Sequence, residues 1–168
     1  MTINSKLEMF RDGTPYFQGS IIAGVVETTT HWMKPAGEQT LDMSHRLCSS
    51  NPLGLDIYMK VMRHEFLHVF GLMHTQTRQD RDDYVKVDYG NLLNDGISQY
   101  AKCRDCKTFD APYECNSIMH YDANSYAKDN RRPVMTPVNK KNCNINPGYY
   151  LTSWDWKLLR KAANCPGS

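Results

Sequence analysis

The sequence MRHEFLHVFGLMH, residues 62–74, holds three histidines, one glutamate and one glycine in the spacing H-E-x-x-H-x-x-G-x-x-H. His64 and His68 are four residues apart, so a helix places both imidazoles on one face, one turn apart, where they can bind a single ion. Gly71 adopts a positive φ at little cost, so we expect the helix to end there. The chain can then turn back and bring His74 to the same ion.

This spacing predicts a catalytic zinc rather than a structural one. Three protein ligands, His64, His68 and His74, leave a fourth position on the metal for water, whereas a structural zinc is closed by four protein ligands. Glu65 follows the first histidine, where it can act on that water as a general base. The alternative is that these are ordinary surface or core residues, and the combined spacing argues against it.

The composition excludes several classes of protein. The chain has 168 residues, of which 40% are hydrophobic and 23% charged, with a formal net charge of +2. This length is enough for one domain with a sizeable core. The net charge is too small to indicate a nucleic-acid partner, and no apolar run approaches the length of a membrane span.

The cysteine count indicates an oxidising compartment. Six cysteines allow up to three disulfides and 15 complete pairings, so the connectivity is open. They are Cys48, Cys103, Cys106, Cys115, Cys143 and Cys165. The C-x-x-C spacing of Cys103 and Cys106 also occurs in redox motifs and zinc knuckles, but a third cysteine close by favours structural disulfides.

Apolar patterning predicts two strands and two helices. Residues 1–19 are polar and turn-prone, and strands are expected over Ser20–Thr30 and Thr40–Met43. A continuous helix is expected over Leu55–Phe70, and a second over Ser153–Ala163. Residues 88–116 hold few periodic apolar positions and three cysteines, so they are expected to be irregular and cross-linked by disulfides, and residues 123–150 are expected to be loop-like.

The last predicted helix has a clear start signal. Thr152 and Asp155 form a T-x-x-D capping pattern, and Trp156, Leu159 and Ala163 fall on one side of the helix.

Several polar features admit a plain structural interpretation. The mixed-sign residues 80–83 are typical of a solvated, salt-bridged loop. His31 and His45 are expected at the surface, and His120 is expected to make structural hydrogen bonds. The basic residues after position 130 predict a solvated face, with a role in selecting acidic substrates as the alternative. These are Arg131, Arg132, Lys140 and Lys141.

Beyond the histidine motif, two further stretches resemble one family. A distant methionine turn after H-E-x-x-H-x-x-G-x-x-H is the signature of metzincins. Residues 78–85, RQDRDDYV, resemble the R-x-D-R-D-x-Y-V stretch of astacins, and residues 117–121, SIMHY, match the astacin Met-turn at each position. Cys165 and Cys48 are similar to the terminal astacin cysteine and to one upstream of the zinc helix.

The resemblance implies an α+β, metzincin-like fold and a secreted zinc endopeptidase. One domain, 1–168, would consist of an N-terminal lobe, 1–71, with the zinc helix, and an irregular C-terminal lobe, 72–168. A cleft between the lobes would bind one zinc ion and an extended protein or peptide substrate. No nucleic acid or membrane span is expected, and the protein is expected to be a monomer.

The family's residue roles map onto this chain. The zinc ligands correspond to His64, His68 and His74, and the general base to Glu65. Tyr121 corresponds to an additional tyrosine ligand that can leave the metal and stabilise the oxyanion. Met119 corresponds to the hydrophobic floor beneath the zinc.

The chain also departs from the family pattern. Thr75 follows the third histidine, where astacins usually have a glutamate that pairs with the N-terminus released by propeptide cleavage. The N-terminal lobe is short, and the region before Cys48 aligns poorly. These departures leave one rival class, a zinc-containing binding or toxin-like domain with little proteolysis, and one rival subfamily, a serralysin- or matrixin-like metzincin. Glu65 favours an enzyme over a binding domain.

Overall fold

The computed structural model describes residues 2–9, 15–23, 37–42, 52–140, 142–163 and 165. The chain forms two compact units, Met1–Gly71 and Leu72–Ser168. His31, His45 and Cys48 lie outside the described residues, so the predictions made for them stay predictions.

The first unit contains a three-stranded antiparallel sheet. Its strands are β1 (Thr2–Met9), β2 (Pro15–Ala23) and β3 (Gly37–Asp42), in the order β1-β2-β3. The register pairs Thr2 with Ile22 and Gln18 with Asp42. In this sheet, each strand pairs antiparallel with the strand that follows it in the chain.

The strand predictions need correction at the N-terminus. The strand expected over Ser20–Thr30 begins earlier, at Pro15, and is described as far as Ala23. The polar segment expected to form turns contains strand β1 instead. Its apolar residues Ile3, Leu7 and Met9 occupy alternate positions, which is the strand period, but a serine at position 5 interrupts the pattern.

Helix α1, Pro52–Val69, carries the first two histidines of the motif. Proline is well suited to a first turn because its missing N–H would have no helical partner there. The helix therefore begins three residues before the predicted start. Gly71 has φ of 92°, and its N–H donates to the carbonyl of His68 at 2.9 Å. The predicted glycine turn after the helix is present.

The second unit consists largely of short 3-10 helices and loops around a small core. Strands β4 (Val85–Val87) and β5 (Met135–Pro137) pair antiparallel. The core combines aliphatic, aromatic and cysteine side chains from across this unit. Its buried members are Val85, Leu92, Tyr100, Tyr113, Cys115, Ala127, Val134, Met135 and Cys143.

Two disulfides stabilise this irregular unit. Cys103 pairs with Cys106, and Cys115 pairs with Cys143. The second bond closes a loop of 28 residues and lies within the buried core. Cross-linking of distant loop segments restricts the unfolded chain and stabilises a fold with little regular structure. The expected disulfides are present for these four cysteines.

Helix α2, Ser153–Ala162, is the last helix described in this unit. Thr152 and Asp155 form a complete capping box, as the T-x-x-D pattern predicted. The predicted apolar side is wrong, because Trp156 is 56% exposed. The most buried described residue of the helix is instead Asp155, at 1%.

Candidate active site

The first two histidines of the motif face each other across one helical turn. The Nε2 atoms of His64 and His68 lie 3.1 Å apart. Their ring planes are nearly perpendicular, at 86°, with centroids 4.7 Å apart. Two imidazole nitrogens aimed at one point are the arrangement that the four-residue spacing predicted.

His74 completes a cluster of three possible ligands. Each histidine offers one ring nitrogen, and the three nitrogens lie within 4.8 Å of one another. Zinc–imidazole bonds of about 2.0–2.1 Å place tetrahedral ligands roughly 3.4 Å apart. The separation of the first pair is close to that value, and a set of three neutral imidazoles suits zinc better than calcium or magnesium. The residues present therefore fit a zinc ion.

Glu65 follows His64 on helix α1 and is half-buried. A general base must lie within hydrogen-bond reach of the water proton that it takes. Its assigned role stays a prediction.

The segment Ser117–Tyr121 lies directly beside the residues that follow His74. The N–H of Thr75 donates to the carbonyl of Met119 at 2.9 Å. Met119 is 2% exposed, and its N–H donates to Oγ of Ser117 at 3.0 Å. This places a buried thioether side chain in the segment predicted to form the Met-turn.

Tyr121 contacts the third histidine directly. Its ring lies against that of His74, with centroids 4.5 Å apart. The phenol donates to Oε1 of Gln99 at 3.3 Å, and the backbone N–H donates to Oε1 of Gln76 at 3.2 Å. The half-buried Tyr121 ring thus lies against a candidate ligand, while its metal and oxyanion roles stay predictions.

This geometry agrees with a match to a family of known proteins. The family model described as Astacin, a family of peptidases, matches residues 53–162, which include the histidine cluster and the segment Ser117–Tyr121. The chain belongs to the astacin family. The predicted family and the α+β, metzincin-like fold are confirmed, and the serralysin- or matrixin-like alternative is excluded.

Curated relatives of this astacin include fish and nematode proteins. High choriolytic enzyme 1 of Oryzias latipes is 28% identical over 132 residues, covering 79% of this chain and 46% of that protein. Zinc metalloproteinase nas-5 of Caenorhabditis elegans is 36% identical over 104 residues, covering 61% and 29%. The astacin chain thus spans about half or less of the length of the relatives it matches.

A solved structure resembles this astacin as well. It is described as High choriolytic enzyme 1, a hatching enzyme zinc-protease from Oryzias latipes (Medaka fish). The TM-score is 0.59 at 30% identity, and the match covers 63% of this chain and 52% of that chain. Agreement in both sequence and backbone supports the metzincin-like fold.

In the charged stretch typical of astacins, Asp82 and Asp83 are exposed and Asp82 makes salt bridges, as expected of a solvated loop, whereas Arg81 is buried. Arg81 is 4% exposed, and its guanidinium donates to the carbonyls of Gln76 and Tyr100 and to the hydroxyl of Tyr89. Burial acts to lower the pKa of this guanidinium, but the bonds to Asp82 and Tyr89 outweigh burial and raise it. Composition alone predicted the wrong environment for Arg81 because it does not show which charge is buried.

His120 makes the structural hydrogen bonds that were expected of it. Its Nδ1 lies 2.7 Å from the carbonyl of Tyr121 and must donate to it, so Nε2 accepts from the hydroxyl of Tyr113 at 2.9 Å. The ring is 3% exposed, and burial lowers its pKa. His120 therefore supports the Met-turn as a neutral imidazole.

The basic residues near position 130 form a solvated face in this astacin. Arg131 and Arg132 are exposed, and both lie near the carboxylate of Asp129. Exposed pairs of this kind contribute little stability. Lys140 is also exposed, whereas Lys141 is outside the described residues.

Gln76 and Gln99 are contacts of the candidate site that the sequence did not reveal. Neither belongs to a catalytic pattern, and each reaches Tyr121 over more than 20 positions along the chain. Only the fold places them beside the phenol and its backbone.

Proposed function

We propose that this chain is a zinc-dependent endopeptidase that hydrolyses peptide bonds in protein or peptide substrates. The observation that carries this proposal is the cluster of three imidazole nitrogens within 4.8 Å, in a chain of the astacin family. The names of its relatives support the same activity, since nas-5 is named a zinc metalloproteinase.

Each site residue has a distinct proposed role. His64, His68 and His74 hold one zinc ion, and a bound zinc supplies Lewis acidity and lowers the pKa of water. Glu65 takes a proton from the attacking water and passes it to the leaving amine. Tyr121 donates its phenolic hydrogen to the oxyanion that develops on the substrate carbonyl.

Tyr121 and Met119 have further proposed roles at the metal site. Tyr121 is a further ligand of the metal when no substrate is present, in keeping with its contact with His74. Met119 would form an apolar floor of the metal site, and its burial suits such a packing role. Packing is a role that the flexible, apolar methionine side chain serves well.

We further propose an extracellular location and a monomer. The two described disulfides support an oxidising compartment. None of the helices among the described residues is long and apolar enough to cross a membrane. The division into lobes at 71/72, with a substrate cleft, and the effect of Thr75 on activation stay predictions.

A peptide library tests the proposed activity. Incubation with the purified chain is expected to give cleavage that a chelator abolishes and that added zinc restores, because the imidazole cluster holds the only proposed metal. Mass spectrometry of the products measures cleavage and its position. Bound zinc without any chelator-sensitive cleavage would favour the rival, a zinc-containing binding or toxin-like domain.

Replacing Tyr121 with phenylalanine tests the oxyanion role. Tyr121→Phe is expected to lower kcat about 100-fold, the lower end of the loss seen when one oxyanion donor is removed. Zinc content is expected to stay unchanged, since three imidazoles remain. Steady-state kinetics and metal analysis measure both, and an unchanged kcat would return Tyr121 to a packing role.

A further inference from the structure

Two glutamines hold Tyr121 from opposite ends of the residue. Oε1 of Gln76 accepts from the backbone N–H at 3.2 Å, and Oε1 of Gln99 accepts from the phenol at 3.3 Å. The ring between these contacts lies against His74. The rings of Tyr100 and Tyr126 also contact it, and the two glutamines bind its polar groups at either end.

Gln76 is fixed by its surroundings. The side chain is fully buried, and its Nε2 has no hydrogen-bond partner among the residues that the structure describes. Full burial restricts the rotamers of this side chain, and its Oε1 is held by the N–H of Tyr121. The backbone of Tyr121 is therefore held by a side chain that has little freedom to move.

Arg81 connects the two segments that carry these glutamines. Its Nη1 donates to the carbonyl of Gln76 at 3.0 Å and to that of Tyr100 at 2.6 Å. Tyr100 is the neighbour of Gln99 in the chain. A planar guanidinium with several charge-assisted bonds holds its acceptors at fixed positions. The buried arginine of the astacin-like stretch thus supports both contacts of Tyr121.

The contact with Gln99 is the adjustable one. Gln99 is half-buried, and its distance of 3.3 Å to the phenol oxygen exceeds the roughly 2.5–3.0 Å of ordinary hydroxyl hydrogen bonds. A long bond breaks easily, so the phenol can leave Gln99 while Gln76 keeps the backbone of Tyr121 in place. This separates movement of the hydroxyl from movement of the chain.

We propose that Gln99 is a positioning residue that orients the Tyr121 hydroxyl for the oxyanion, while the Tyr121 ring lies against His74. The effect on catalysis rests on the proposed function of Tyr121. The effect of Gln99 on the position of the phenol does not rest on that function, and it can be measured without substrate.

Kinetics of a double-mutant cycle test the proposal. Gln99→Leu is expected to lower kcat about three- to tenfold, the range of one net hydrogen bond, with KM unchanged. In the Tyr121→Phe background the same change is expected to alter kcat less than about twofold, because the hydroxyl is already absent. Gln99→Glu, which keeps an acceptor, is expected to restore kcat.

The control is Ser98→Ala, an exposed neighbour. Equal losses in both backgrounds would overturn the proposal.

A spectroscopic readout is independent of activity. Tyrosine labelled with ¹³C at Cζ gives one NMR signal per tyrosine, and the Tyr121 signal is identified by its loss in Tyr121→Phe. Gln99→Leu is expected to shift or broaden that signal in zinc-loaded and chelator-treated protein, whereas Ser98→Ala leaves it in place. An unmoved signal overturns the proposal. A moved signal in a chain without peptidase activity supports the positioning role and contradicts the proposed function.

Discussion

Glu65→Gln is expected to lower kcat/KM for peptide cleavage about 1,000-fold while leaving the fold and the zinc content unchanged. Glutamine keeps the length and shape of the side chain but takes up no proton at neutral pH. A positioned general base contributes roughly 10²- to 10⁴-fold to a rate. Because the metal ligands are His64, His68 and His74 in the proposed site, the loss falls on proton transfer alone. Steady-state kinetics with metal analysis and circular dichroism measure these quantities.

The matched control for this change lies on the same helix. Asp56 is exposed on α1, and Asp56→Asn makes the same carboxylate-to-amide replacement away from the histidines. Its kcat/KM is expected to equal that of the wild-type chain. Wild-type activity in Glu65→Gln would show that Glu65 is not the general base. Loss of zinc in that variant would show that the glutamate supports the metal instead.

The parts of the site that the sequence predicted are those built by neighbours along the chain. His64 and His68 meet because of helical geometry, and Gly71 turns because a residue without Cβ adopts positive φ freely. The capping box of Thr152 and Asp155 is equally local. Local rules act over three to ten residues, and a sequence pattern captures them well.

The parts of the site that the sequence did not predict depend on contacts between distant segments. Arg81 sits in a polar stretch that composition assigns to solvent, yet its acceptors include the carbonyl of Tyr100, 19 residues away. Gln99 reaches Tyr121 over 22 residues. The burial of a charge depends on whether enough acceptors converge on it, and that is a property of the folded chain.

Strand β1 shows a different limit. Its alternation of polar and apolar residues is weak, and most of its side chains are polar, so the segment resembles a turn in composition. Pairing with β2 over eight residues supplies the hydrogen bonds that make it a strand. Sheet formation depends on the partner strand more than on intrinsic preference.

The buried carboxylate of Asp155 gives the second large expected effect, on stability. Its Oδ1 accepts from Oγ of Ser117 at 2.6 Å, and its Oδ2 accepts from the N–H of Ile118 at 3.1 Å and of Thr152 at 2.9 Å. One side chain thus joins the first turn of helix α2 to the segment Ser117–Tyr121, the predicted Met-turn. Ile118 and Ser117 lie 37 and 38 positions before Asp155 in the chain.

Asp155→Ala is expected to lower the free energy of unfolding of this unit by about 3–5 kcal/mol. Three donors lose their acceptor, and a buried donor left without one is unfavourable by roughly 1–3 kcal/mol. Urea unfolding with the disulfides intact measures the change through the midpoint, at an unchanged slope. Ser153→Ala, at an exposed position of the same helix, is the control and is expected to stay within about 0.5 kcal/mol of the wild type. An unchanged midpoint for Asp155→Ala would mean that water satisfies these donors and that the carboxylate does not hold the Met-turn in place.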